Sequence, residues 1–334
     1  MATITAEQAF ALACGHYRSS RYSEAESLCR QILRATPDHR DTLMLLAVLA
    51  HRGGRTVEGD GFLDQAVESG NFSITLDASV DAKPRWSPHA GISALLEADC
   101  GRYDGVLRSF WDFLPWLRQI ACDSDPQQPA QPHWKNAWMP VLDAAALYCL
   151  VAQKRPRYFV EIGSGNSTKF VARAIADHRL DTRIVSIDPR PRAEIDELCD
   201  EVVRRPLEQC DLELFGSLGK NDIVFADSSH RSFMNSDVTV FFCEILPALA
   251  GGVVVGIHDI FLPYDYPEPW SGRYYSEQYL LACYLLARSP LLRVVLPVHF
   301  MLRRAAGSDA VQAFCAELPG APQPEGGSFW LERI

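Results

Sequence analysis

No stretch of the 334 residues reaches the ~18 consecutive apolar residues of a membrane span, and the run Leu43–Ala50 is far shorter. The opening MATITAEQAF lacks the basic start and apolar core of a secretory signal. The ten cysteines include no C-x-x-C pair and fall mostly in helical or apolar contexts, as small buried hydrophobes of a reducing compartment do. A cytoplasmic location is expected. Also missing is the basic surplus that phosphate binding demands: 32 Lys and Arg face 42 Asp and Glu, a formal net charge of −10. This disfavours a nucleic-acid substrate, and a pair such as Arg303–Arg304 is too small to reverse it. With 48% hydrophobic and 22% charged residues the composition is that of an ordinary globular protein. Its length favours two domains, because one core rarely outgrows ~250–300 residues.

Against these absences stands a βαβ unit over residues 157–188. An apolar strand, Tyr158–Ile162, runs into a glycine turn at Gly163 and Gly165. A helix opens at Asn166–Ser167, and a second strand, Arg183–Ile187, ends in Asp188. Open α/β sheets bind ligands in the crevice beyond the carboxyl ends of such strands. The glycines let backbone approach a ligand, and an acid after the second strand suits a ribose diol. Two nucleotide signatures are absent. A dinucleotide turn needs a third glycine, where this chain has Thr168, and no lysine follows at P-loop spacing. Glu161, two residues before Gly163, would repel a pyrophosphate but tolerate a ligand carrying an ammonium and a sulfonium. S-adenosyl-L-methionine therefore fits better than NAD or ATP.

Downstream, apolar strands alternate with helices. After a short helix at Ala193–Cys199 come strand Glu201–Arg204, helix Asp211–Leu218 and strand Asp222–Ala226, which ends in Asp227. A helix around Val238–Leu249 and strand Gly252–Ile257 follow, the latter ending in His258–Asp259. The alternation predicts a largely parallel, doubly wound α/β sheet buried on both faces. The segments EIGSGNST, SIDPRPR, DIVFADSSH, GIHDIFLPYDYPEPW and RYYSEQYLL resemble the class I S-adenosylmethionine-dependent methyltransferase superfamily. The closest likeness is to its branch with D-[SG]-S-H after the fourth strand and H-D-I or E-D-I after the fifth. The resemblance covers about residues 133–300. It implies a Rossmann-like seven-stranded sheet whose last two strands, expected at Leu292–Val298 and Ser328–Ile334, form an antiparallel pair. It also implies methyl transfer, with a cofactor site drawn from Glu161, Gly163, Ser164, Gly165, Ser167, Asp188, Arg190, Asp227 and Ser228.

Methyl transfer is an in-line displacement at a sulfonium carbon, so the protein positions two reactants and activates the acceptor. A sugar-type hydroxyl needs a base within hydrogen-bond reach, or a metal that makes it more acidic. His230, three residues after Asp227, is the leading base, and His258 is the second candidate. Asp227 and Asp259 end neighbouring strands, and with His258 they form a candidate site for a divalent Mg²⁺ or Mn²⁺. Relatives in this branch that use a metal have a glutamate where this chain has His258. The segment Phe261–Tyr275, rich in Pro, Tyr and Trp, suits the surface of a sugar or polyketide, or a static plug over the sheet edge. The expected function is O-methylation of a hydroxyl on a sugar, glycan or natural product, with His230, His258 and Asp259 catalytic. The alternative is a non-catalytic scaffold or adaptor that joins a repeat module to a nucleotide-binding domain.

Residues 5–70 follow another rule. Leu12, Ala13, Ala25 and Ile32 recur 34 residues later as Leu46, Ala47, Gly59 and Ala66. The period and the small residues resemble the tetratricopeptide repeat, with a second copy degraded by Gly53, Gly54, Gly59 and Gly61, each poor inside a helix. Two repeats are fewer than the roughly three such arrays usually need. The pair is therefore expected to dock a protein partner or to brace a homo-oligomer. The organisation expected is a helical module over 1–72, a helical linker or cap with a proline-rich loop over 73–150, and the methyltransferase domain over 151–334. Within the middle part, Gly105–Ile120 reads as an amphipathic core helix and residues 125–132 as a proline- and glutamine-rich loop. HWKNAWMPVLDAAALYCLV reads as a helix, and the methyltransferase resemblance puts Asn136, Trp138 and Asp143 where the branch has its first motif, which implies that they border the cofactor.

Overall fold

A computed structural model describes residues 5–68, 87–136, 138–191, 193, 195–289 and 291–334. It divides into two compact units, Met1–Ala82 and Lys83–Ile334. In the first, four helices form two hairpins: α1 (Ala6–Arg18) with α2 (Tyr22–Ala35), and α3 (Arg40–Arg52) with α4 (Thr56–Glu68). Each helix of the second hairpin starts 34 residues after its counterpart. The turns repeat too. Ser20 at φ 57° and Gly54 at φ 73° take the same left-handed position, and Arg21 and Arg55 each donate an N–H, at 2.9 Å, back to His16 and Ala50. Gly53 and Gly54 thus end α3 rather than interrupt it, where glycine's freedom is an asset. Gly59 is helical, and a Cβ there would lie 2.6 Å from the His51 ring, so a bare backbone lets α3 and α4 close. Ala13, Cys29 and Leu46 centre this small core. Leu12 is exposed where its counterpart Leu46 is buried.

In the second unit seven strands make one sheet: β1 (Tyr158–Ile162), β2 (Arg183–Ile187), β3 (Glu201–Val203), β4 (Ile223–Ala226), β5 (Val254–Ile257), β6 (Leu292–Pro297) and β7 (Phe329–Arg333). Their order is β3-β2-β1-β4-β5-β7-β6. The first five run parallel, and β7 is antiparallel between β5 and β6, which supplies the expected final pair. The chain leaves β1 toward β2 on one side and returns to β4 on the other, and this reversal opens a crevice at the carboxyl ends. Register aligns what emerges there. Ile162 pairs with both Ile187 and Ala226, and Ala226 with Ile257. Gly163, Asp188, Asp227 and His258 therefore leave the sheet in one row.

Helices α5 (Ala90–Glu97), α6 (Cys100–Ser109), α7 (Leu114–Leu117) and α8 (Val141–Lys154) precede β1 and share the sheet's hydrophobic core. Gly105–Ile120 is not one helix, because α6 passes through a 3-10 turn, Phe110–Phe113, into α7 with Pro115 in its first turn. It does bury Phe110, Leu114 and Leu117, as a core element must. α8 begins only after Pro140 and is buried from Val141 to Ala152. The preceding residues are irregular and pinned by Asn136, whose Oδ1 accepts from Met139 N (2.8 Å) and from the Asn166 side chain (3.3 Å). Asn166 opens α9 (Asn166–His178), which follows β1. The helices expected at Ala193–Cys199 and Asp211–Leu218 shrink to single turns, too short to propagate. The one expected around Val238–Leu249 contains a π-helical turn, Phe241–Ile245, just before Pro247, which has no N–H to return. Among the described residues no helix is long and apolar enough to cross a membrane.

Candidate active site

The β1 turn is built for close approach. Gly163 has φ 78°, and a Cβ on it would fall 1.9 Å from the Asp227 carbonyl oxygen. Any side chain would separate β1 from β4 at the crevice. Asp188 braces the same turn: Oδ2 accepts from Ser164 N and Oδ1 from Arg190 N, at 2.8 and 2.7 Å. The Ser164 hydroxyl adds a longer bond to Oδ2, at 3.4 Å. Arg204 donates to the Asp188 carbonyl at 3.0 Å, and Ser186 Oγ to Ser164 Oγ at 2.9 Å.

Glu161 is fully buried. Its Oε2 accepts from Thr168 Oγ1, while Oε1 has no partner. Burial first, and then the charges of Asp227 and Asp188, push its pKa up to about 8, against the opposing hydrogen bonds of Ser167 and Thr168. An orphaned buried carboxyl oxygen is costly unless a ligand satisfies it, and a cation does so best. Thr168, the residue in place of the third glycine, also accepts from Gly165 N at 3.2 Å, so it closes the turn by hydrogen bonding where glycine would do so by small size.

A second cluster lies beyond β4 and β5. His230 Nε2 is 3.2 Å from Asp227 Oδ1 and 3.5 Å from Asp259 Oδ2, and one ligand atom from each of the three lies within 4.8 Å of the others. Nδ1 of the same ring is engaged by Glu277 Oε1. His258 sits behind the aspartates. Its Nδ1 is 3.3 Å from Asp227 and 3.4 Å from Asp259, and its Nε2 is 3.3 Å from Asp143. These His258 contacts are electrostatic rather than well-aligned hydrogen bonds, since neither ring nitrogen finds bonding geometry. His230 and Asp259 both hold left-handed backbone, φ 59° and 55°, a conformation that costs a non-glycine residue about 1–2 kcal/mol.

Acids outnumber bases here: Asp143, Asp227, Asp259 and Glu277 meet two imidazoles, and burial, against the pull of His230, raises the pKa of Glu277 above the ordinary carboxylate value. Burial alone would lower the pKa of His230, but Glu277, then Tyr275 and Asp227, raise it well above the usual histidine value. Burial likewise opposes the positive form of His258, and Asp259 and Asp227 raise it. Asp227 is held well below the carboxylate range by the two histidines, against the opposing effect of desolvation. The Tyr275 ring packs on His230 at 4.5 Å and begins an aromatic wall through Trp270 and Phe261, with Arg273 over Trp270 at 4.3 Å.

The structure thus gathers Glu161, Gly163, Ser164, Gly165, Ser167 and Asp188 at the β1–β2 end, and Asp227, His230, His258 and Asp259 at the β4–β5 end. Ser228 faces Glu277 at 3.5 Å, and Arg190 contributes its backbone N–H to Asp188. Of the three residues expected to border the cofactor, Asn136 reaches the head of α9, whereas Asp143 faces His258 instead. Sequence reasoning assigned no role to Thr168 or Glu277. Thr168 could have been found from its place in the turn; Glu277 stands in the segment RYYSEQYLL that carries the family resemblance, with Arg273, Tyr275 and Gln278, but the motif alone gave it no role.

Residues 160–260 match a family model described as a methyltransferase domain. Among solved structures the chain is similar to the SAH-bound Podospora anserina methyltransferase PaMTH1, with 14% identity, coverage of 71% of this chain and 96% of that one, and a TM-score of 0.38. No curated protein matches the chain. The matched segment runs from within β1 to just past β5 and contains Glu161, Gly163, Asp188, Asp227, His230, His258 and Asp259, while Asp143 and Glu277 lie outside it. Together with the strand order, that match supports a class I S-adenosylmethionine-dependent methyltransferase domain in this chain.

Proposed function

We propose that the protein is an O-methyltransferase that takes its methyl group from S-adenosylmethionine and delivers it to a hydroxyl of a sugar, glycan or sugar-bearing natural product. The observation that carries the reading is the convergence of His230 Nε2 with the carboxylates of Asp227 and Asp259, while Glu277 occupies Nδ1. A carboxylate on one ring nitrogen fixes the tautomer that turns the other nitrogen's lone pair outward, as metal-bound histidines require. Two carboxylate oxygens and an imidazole suit a divalent cation such as Mn²⁺ or Mg²⁺. Such an ion, when bound, makes an acceptor hydroxyl more acidic.

The protein's own residues do the rest. Glu161 presents its unpartnered oxygen to the positive methionine end of the cofactor, and Asp188 takes the ribose. Tyr275, Trp270 and Phe261 offer ring faces to the acceptor. His230 changes role in this reading. The surrounding acids hold the ring's pKa high, which makes it a poor general base; a bound cation would displace the Nε2 proton, so in this reading His230 serves as a ligand, and His258 spaces the two aspartates. We assign the helical unit, with Leu12 and Val57 exposed, to contact with a partner protein or a second copy of the chain.

Calorimetry with S-adenosylhomocysteine, Mn²⁺ titration and transfer of labelled methyl to a panel of hydroxyl acceptors test the reading. Tight binding of NAD or ATP with no response to S-adenosylhomocysteine would end it. Binding of S-adenosylhomocysteine with no metal- or acceptor-dependent turnover would favour the scaffold.

A further inference from the structure

Asp143 is a carboxylate on an otherwise apolar helix, fully buried in the first turn of α8. A charge in that position survives only with partners. Its partners come from a segment far along the chain: Oδ2 accepts from Gly327 N and Oδ1 from Ser328 N, both at 2.7 Å. Oδ2 also lies 3.3 Å from His258 Nε2. Gly327 passes the constraint on, because its carbonyl accepts from Ile260 N at 2.7 Å, and Ile260 directly follows the left-handed Asp259. The loop has no slack. A Cβ on Gly326 would meet Val298 Cγ1 at 2.5 Å and Asp143 Oδ1 at 2.9 Å. Leu142 N, beside Asp143, donates to the Glu325 carbonyl at 3.0 Å, and Val298 N donates to Ser328 O at 3.0 Å, so the segment is tied on both flanks.

We propose that Asp143 is a positioning residue, which through His258 on one side and Gly327 on the other sets the orientation and spacing of the Asp227 and Asp259 carboxylates. The inference rests on the reading of Asp227, His230 and Asp259 as a cation site. Asp143 touches neither aspartate. It acts through a ring that faces both of them, and through the backbone that fixes one of them. Two backbone donors converge on its two oxygens, so the isosteric amide cannot replace it: an Asn would set its own N–H against one of those donors.

The test measures two affinities separately in the full chain, Mn²⁺ by electron paramagnetic resonance and S-adenosylhomocysteine by calorimetry. Asp143→Asn should weaken Mn²⁺ by about 10–100-fold, the range seen when a group behind a metal ligand is lost, and leave S-adenosylhomocysteine affinity within about 3-fold. His258→Asn should weaken Mn²⁺ similarly. The double variant should fall well short of the product of the two, because the residues act through one another. Undiminished Mn²⁺ affinity in Asp143→Asn overturns the proposal. So does a strictly additive double variant, or a parallel loss of both affinities, which is what a merely structural residue would give. Should Asp143→Asn not fold, His258→Asn alone decides, and wild-type Mn²⁺ affinity in it overturns the proposal. Wild-type protein that binds S-adenosylhomocysteine but no Mn²⁺ removes the metal reading and this inference with it.

Discussion

Two charge clusters, one in each unit, follow opposite rules. In the helical unit Glu26 and Glu58 face Arg30 and Arg55, sign for sign, at 2.5–3.0 Å and open to solvent. Each charge has its opposite, and Glu26 is held down to about 2 chiefly by its hydrogen bond to Arg55. At the sheet's carboxyl end four carboxyl groups share two imidazoles; Asp143, Glu277 and both rings are buried, and Asp227 and Asp259 are partly exposed. The first cluster is complete as it stands, and its removal would cost little. The second has more acids than bases, and two of its residues hold strained backbone. That combination is what motivates the proposal of a bound cation there.

Breaking the acid-rich cluster should give the largest effect. Asp227→Ala removes a proposed ligand, so Mn²⁺ affinity should fall by at least about 100-fold and methyl transfer should drop to background; a titration matching wild type would dissolve the contrast. Next comes Glu161. Its carboxyl is raised on folding, so between the ordinary 4.5 and about 8 the unfolded chain is ionised while the folded one keeps its proton. The stabilisation is therefore complete below the lower value and lost as pH climbs to the upper one, at about 1.4 kcal/mol per pH unit. The ligand-free melting temperature should fall from pH 5 to pH 8, and Glu161→Gln should flatten that slope while weakening S-adenosylhomocysteine. A slope unchanged by the substitution would place the titrating group elsewhere.

Smaller effects lie in the helical unit. Gly61 has open space where a Cβ would go, whereas Gly59 has the His51 ring. Gly61→Ala should stabilise by about 0.5–1 kcal/mol, the helix-propensity gain, and Gly59→Ala should lose stability; equal melting shifts would mean that α3 and α4 do not close on Gly59. Least of all, Arg55→Ala should lower the melting temperature slightly at low salt and not at all at high salt, where exposed pairs are screened. A loss that survives high salt would make the two clusters alike.

The strand ends were legible because they are local. Each acid or glycine of the crevice follows an apolar run, so Gly163, Asp188, Asp227 and Asp259 could be placed from the pattern alone. The 34-residue period was legible for the same reason. Contacts across the chain were not. Glu277 reaches His230 over 47 residues, and Asp143 reaches Gly327 over 184, and no spacing rule encodes either. The roles of the two histidines depended on them. Only once Glu277 claims one nitrogen of His230 does the other turn to the aspartates, and only Asp143 explains why His258 stands behind. Helix lengths were overread wherever proline intervenes, as at Pro115, Pro140 and Pro247.

The bare α-carbon of Gly163 against the Asp227 carbonyl has one more consequence. On the proposed reading, the methyl donor's side of the crevice and the recipient's side would share a party wall one peptide thick, and Asp227 N closes it further with a 2.8 Å bond to Ile162 O. Neither side could then be widened there without deforming the other. Efforts to redirect such an enzyme toward new recipients should leave this seam intact and reshape the far bank, residues 261–275, away from where the donor would be seated.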